Sequence, residues 1–277
     1  MKQAGSIESI PDGGKKCKAL AIWKKPACTV QNICAILLEV QRFVSLFKES
    51  SMIEFQTDAG TVSAYLAVPE RGSGPGVVVL HAWWGLTEPF RQVCDRLAQA
   101  GFVALAPDLY RGKTAATVEE AKALATALNQ ESERVSGDIA GAVQFLRQRD
   151  VTQLAGDRGK FAFIGFSLGG AYALDMSVNL AGENAAVVIF YATYTGPDYS
   201  RAQAAYLCHF AEQDPFEPAE SVAEMEQALQ AAGRQATFYT YPGTRHWFFE
   251  ENRPEYDAGA ARLAWERTIA FLHERLD

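Results

Sequence analysis

Phe161-Ala162-Phe163-Ile164-Gly165-Phe166-Ser167-Leu168-Gly169-Gly170 is the stretch whose reading decides the fold. Its first six residues are apolar or glycine without a break, the pattern of a parallel strand covered on both faces. Ala171 to Met176 (AYALDM) then reads as helix, so the chain turns from strand to helix straight after Ser167. A serine at such an elbow is held at strained backbone angles with its hydroxyl projecting from the sheet end. Side chains at Gly165 and Gly169 would strike the neighbouring strand and helix. The helix start aims free N–H groups and a partial positive charge at the same spot, which suits a developing oxyanion.

Outward from this elbow the chain alternates strand and helix. Gly76 to Ala82 (GVVVLHA), Phe102 to Ala106, Ala185 to Ala192, Ala205 to Ala211 and Ala236 to Tyr241 read as strands. Thr61 to Val68 (TVSAYLAV) alternates and reads as an edge or antiparallel strand ended by Pro69. Helical spacing runs over Pro89 to Ala100, Val118 to Leu128, Glu131 to Arg149 and Ala219 to Ala232. A last helix opens at Arg253 or Pro254 and runs to Leu276. Strands and helices in this alternation predict an α/β fold with a mostly parallel central sheet and helices on both faces. No internal repeat or low-complexity linker interrupts residues 52–277, so these form one domain.

Charge is spread unevenly. Residues 1–51 hold eight Lys/Arg against four Asp/Glu, whereas residues 52–277 hold 18 against 29. An acidic body argues against nucleic acid or an anionic membrane as partner. Ile33 to Phe47 is interrupted by Glu39 and Arg42 and is too short to span a bilayer. It also lacks the form of a secretory signal. Residues 1–51 are expected to be a poorly ordered or dispensable extension, with the functional domain opening near Met52. Five cysteines (Cys17, Cys28, Cys34, Cys94, Cys208) show no C-x-x-C pair and no metal-ligand spacing. They read as reduced thiols in a cytoplasmic protein, with Cys94 and Cys208 packed in the core.

A serine hydroxyl needs a base within hydrogen-bond reach. His209 lies inside a strand pattern and His273 near the end of the last helix, both structural positions. His81 ends a buried strand near the expected site rim. His246 lies between the last strand and the last helix, where a side chain can reach the serine, and is preferred over His81. The imidazole needs an acid to fix its tautomer. Asp214, in the turn after strand Ala205 to Ala211, takes that role, with Glu212 as the alternative. The order Ser167, Asp214, His246 is that of an α/β hydrolase. Backbone N–H groups of Trp83 and Leu168 are the expected oxyanion donors. Trp83, Trp84, Tyr110, Phe166 and Trp247 could wall an apolar pocket.

With HAWWG (81–85), APDLYRG (106–112), GFSLGG (165–170), EQDPFEP (212–218) and YPGTRHWFFEENRPEYD (241–257) in place, residues 52–277 resemble the dienelactone hydrolase family of α/β hydrolases. The resemblance implies a single domain without a separate lid, no cofactor and no metal. It implies hydrolysis of a small ester or lactone through an acyl-enzyme. The family's founding activity uses a cysteine nucleophile partnered by a glutamate. Here those positions hold Ser167 and Ala82, a coherent pair of changes because a serine–histidine pair needs no such glutamate. Two family arginines that grip a substrate carboxylate would fall at Gly112 and Glu250, with Arg111 one residue off and Arg245 and Arg253 nearby. The protein is expected to act as a monomer on a neutral or otherwise undefined small ester. The alternatives are a carboxymethylenebutenolidase proper and a catalytically silent binding protein. A nucleotide-binding α/β domain is disfavoured, because G-x-G-x-x-G and a Walker lysine are both missing.

Overall fold

The computed structural model describes residues 50–149 and 161–277. Among these residues eight strands form one sheet in the order β1-β2-β4-β3-β5-β6-β7-β8. The strands are β1 (Ser50–Thr57), β2 (Gly60–Ala67), β3 (Gly76–Leu80), β4 (Val103–Pro107), β5 (Phe161–Phe166), β6 (Asn184–Phe190), β7 (Ala205–Gln213) and β8 (Ala236–Arg245). Six helices accompany them: α1 (Glu88–Gln99), α2 (Val118–Gln130), α3 (Ser132–Arg147), α4 (Leu168–Asn179), α5 (Ala219–Ala231) and α6 (Ala258–Leu276).

β1 and β2 run antiparallel to their neighbours, and β4, β3, β5, β6, β7 and β8 run parallel. β2 is therefore antiparallel as expected but lies inside the sheet, because β1 takes the edge. The expected extension over residues 1–51 lies outside the described residues, except that Ser50 and Ser51 already open β1.

Period-two alternation divides the core. Val78, Leu80, Phe161 and Phe163 face α3, α4 and α5. Val77, Val79, Ala162, Ile164 and Phe166 face α1 and α6. Cys208 packs in the first cluster and Cys94 in the second, as buried free thiols. His209 is a satisfied core residue, with Nδ1 on the Tyr241 hydroxyl at 2.9 Å and Nε2 on Thr268 Oγ1 at 3.1 Å.

The last helix starts later than its sequence pattern suggests. Asp257 caps it by accepting from the Ala260 N–H at 2.8 Å, while residues 251–255 form turns and a bend. An aspartate one residue before an apolar-periodic run is a stronger start than Pro254, whose turn bonds the Arg253 N–H back to Glu250 O.

After β4 the chain crosses back over β3 to build β5, so the connections leaving β3 and β5 diverge at the carboxyl ends of adjacent strands. Such a switch point leaves a crevice above the sheet.

Candidate active site

Ser167 stands at this crevice, directly after β5, with φ 47° and ψ −116°. A non-glycine residue there is strained, and the strain is maintained by close packing on both sides. A Cβ at Gly165 would lie 2.5 Å from Gly169 O, and one at Gly169 would lie 2.3 Å from Leu80 O. Glycine at both positions is what lets α4 seat against β3 and β5. The Ser167 carbonyl then accepts from the Gly170 N–H at 2.7 Å, closing the first turn of α4. The Leu168 N–H, the first of the helix, finds no intrahelical carbonyl.

His246 follows the last residue of β8, and its Nε2 is 3.0 Å from Ser167 Oγ. Its Nδ1 is 2.7 Å from Asp214 Oδ2. The two side chains are nearly sealed from solvent, at 3% exposure for His246 and 1% for Asp214. With Nδ1–H donating to the carboxylate, Nε2 is the free acceptor facing the hydroxyl. Asp214 is also fixed by its own turn, since Oδ1 accepts from the Phe216 N–H at 2.9 Å and the Glu217 N–H at 3.1 Å. Glu212 points elsewhere, accepting from the Gly243 N–H.

Rings enclose the imidazole. Tyr191, Phe216 and Trp247 lie with centroids 4.8, 4.9 and 5.0 Å from that of His246. Trp83 stacks on Trp247 at 5.8 Å and meets Phe216 edge-on at 5.6 Å. Tyr191 has a positive φ of 40° and donates its hydroxyl to Glu250 Oε1 at 2.9 Å. Burial pushes the Glu250 carboxyl up to about 8, against smaller opposing effects of the Tyr191 hydrogen bond and the Arg253 charge. Burial likewise raises Glu217 to about 7, although Thr193 donates to it, and the Asp214 charge adds to the rise.

Several expected site residues are elsewhere. Phe166 is completely enclosed and stacks on Phe190 at 4.7 Å, so it lines core and not pocket. Tyr110 is buried against His81 at 5.1 Å, whereas Trp84 stays in the ring cluster, 5.5 Å from Trp83 and 5.4 Å from Trp247, beneath the Arg253 guanidinium at 3.8 Å. The Arg111 guanidinium is committed to Asp138 at 2.8 Å and to Thr61 O at 2.7 Å. It is thus held at the end of β2, tied to α3. His81 is buried, accepting the Leu109 N–H at Nε2, which excludes it as the base for Ser167. Burial lowers its pKa, so it is neutral. Tyr191, Phe216 and Glu217 were not singled out from the sequence. Phe216 and Glu217 lie in the marked EQDPFEP segment, whereas Tyr191, one residue past β6, carries no local signal.

Among the described residues no three His, Cys, Asp or Glu side chains gather as a metal site, and no helix is long and apolar enough to cross a membrane.

Comparison with known proteins identifies the family and the fold. Residues 62–276 match the dienelactone hydrolase family. Protein usf of Aquifex pyrophilus is 33% identical over 232 residues, covering 81% of this chain and 98% of that protein. A Bradyrhizobium protein, provisionally named a 2-oxo-3-(5-oxofuran-2-ylidene)propanoate lactonase, is 29% identical over 241 residues, covering 81% and 94%. Among solved structures, a dienelactone hydrolase-like promiscuous phosphotriesterase from metagenomic libraries shares the fold at TM-score 0.72 and 20% identity, covering 83% of this chain and 100% of that one. With residues 62–276 matched and the strand order and elbow in place, the chain belongs to the dienelactone hydrolase family, within the α/β-hydrolase superfamily.

Proposed function

We propose that the protein is a serine hydrolase that cleaves carboxylic ester or lactone bonds of a small substrate through an acyl-enzyme. The observation that carries this reading is the 3.0 Å approach of Ser167 Oγ to His246 Nε2, backed by Asp214 on the other ring nitrogen. Ser167 Oγ attacks the carbonyl carbon as its proton passes to Nε2. The imidazolium so formed is stabilised by the Asp214 carboxylate. The tetrahedral oxyanion is received by the N–H groups of Trp83 and Leu168, at the positive end of α4. Collapse expels the alkoxide, which takes the proton from Nε2. In a lactone it remains joined to the acyl group. Water then attacks the acyl-enzyme, with His246 again the base, and the acid leaves.

Trp83, Phe216 and Trp247 form the apolar wall beside the imidazole in this reading. Carboxymethylenebutenolidase activity itself has less support. The positions that the family resemblance assigns to carboxylate-gripping arginines hold Gly112 and the buried Glu250, and Arg111 is consumed by Asp138. The catalytic unit is residues 52–277, active as a cytoplasmic monomer without cofactor.

A fluorophosphonate probe tests the reading directly. Mass spectrometry of the folded protein should locate the adduct on Ser167, and Ser167→Ala should abolish both labelling and p-nitrophenyl acetate turnover. Folded wild-type protein that neither labels nor turns over the ester would refute it.

A further inference from the structure

A cavity of about 750 Å³ opens beside the proposed nucleophile, between α4 and the α2–α3 corner. Its floor is one face of α4: Leu168, Ala171, Tyr172 and Asp175 recur at i, i+3, i+4 and i+7. Glu133 of α3 faces them, and Tyr194 closes one side. Among the described residues no Lys, Arg or His lines the space.

Asp175 is unusual for its place. The rest of α4 is largely buried and apolar, and an acid in its second half opposes the helix dipole. Among the described residues neither Asp175 nor Glu133 has a cation within ion-pair distance. Among the described residues Asp175 Oδ2 accepts only from the Asn179 amide, at 2.7 Å. Burial raises its carboxyl pKa, so its charge gains from any cation that enters. The Arg134 guanidinium, whose charge reaches Tyr172, is already held by Glu131 at 2.5 Å and Asp138 at 2.7 Å. Tyr172 and Tyr194 add phenol rings, whose faces attract ammonium groups.

We propose that this cavity is a specificity subsite that takes a substrate substituent bearing a positively charged amine. It rests on the serine hydrolase reading given above. Asp175 lies seven residues beyond Leu168, so the charge belongs about 10 Å from the scissile carbonyl. A carboxylate there would meet two acids and no base.

The test is a set of esters carrying trimethylammonium, tert-butyl or carboxylate about 10 Å from the carbonyl. Each head group is placed once on the acyl chain and once on the alcohol. In one of the two series kcat/KM should rank ammonium over neutral over carboxylate, with about tenfold or more between the extremes. Asp175→Asn should compress that ranking, as should the exposed Glu133→Gln and added salt. A flat ranking in both series overturns the subsite. Carboxylate esters as the fastest substrates also overturn it, and move charge recognition to Arg253 over Trp84. p-Nitrophenyl acetate is too short to reach Asp175. Its turnover alongside a flat ranking removes the subsite alone, whereas no turnover by wild-type protein removes the hydrolase reading and the subsite with it.

Discussion

Glu250→Gln should remove the pH dependence that a buried acid imposes on this fold. Glu250 is 1% exposed, and its Oε1 accepts the Tyr191 hydroxyl at 2.9 Å. Burial raises its carboxyl from 4.5 to about 8, with the Tyr191 bond and Arg253 opposing. Between those two values the folded chain holds a proton that the unfolded chain has released. Stability therefore falls as pH rises through this window and levels off above about 8. The span corresponds to about 5 kcal/mol, an upper value because local relaxation softens it. For a domain of this size each 1 kcal/mol moves the melting temperature by about 2–4 °C. Glutamine keeps the shape and the acceptor for Tyr191 but has no proton to lose. In thermal melts at pH 5, 6, 7, 8 and 9, the variant should gain about 10 °C on wild type across the series. Parallel curves for the two proteins, or a wild type that gains on the variant with rising pH, would refute the reasoning.

Asp214→Asn should lower kcat by about 10⁴ with little loss of stability, because asparagine Oδ1 can keep the bonds to the Phe216 and Glu217 N–H groups while the imidazole loses its tautomer. Steady-state ester kinetics and a melt check both halves. Ser167→Gly should be more stable than Ser167→Ala by about 1 kcal/mol in urea titrations, since only glycine relaxes the positive φ, and both should be inactive. Asp138→Asn should cost about 3–5 kcal/mol in the same titration, because the fully buried carboxylate holds both Arg111 and Arg134.

The strands were legible because a parallel sheet buried on both sides writes itself as continuous apolar runs, and β3 and β5 are such runs from end to end. The elbow was legible because Gly165 and Gly169 answer to backbone approaches that a Cβ would block. What sequence could not supply was partnership over distance. Arg111 reads as a free cation near the site until Asp138, 27 residues away, takes its guanidinium. Phe166 adjoins Ser167 in sequence, yet alternation along β5 sends its ring with Ile164 towards α1 and α6. That signal was present in the pleat. Tyr191 left no trace, because its contact with His246 depends on where β6 ends relative to β8.

In the proposed mechanism Asp214 spends one oxygen on chemistry and the other on carpentry. The same carboxylate that polarises the imidazole also folds the bend that aims it, so neither duty can drift without the other. Lengthening the side chain by a single methylene, as glutamate does, would misplace both oxygens together. Aspartate and glutamate are therefore not exchangeable at this corner. A variant seeking a new acid would have to rebuild the loop first.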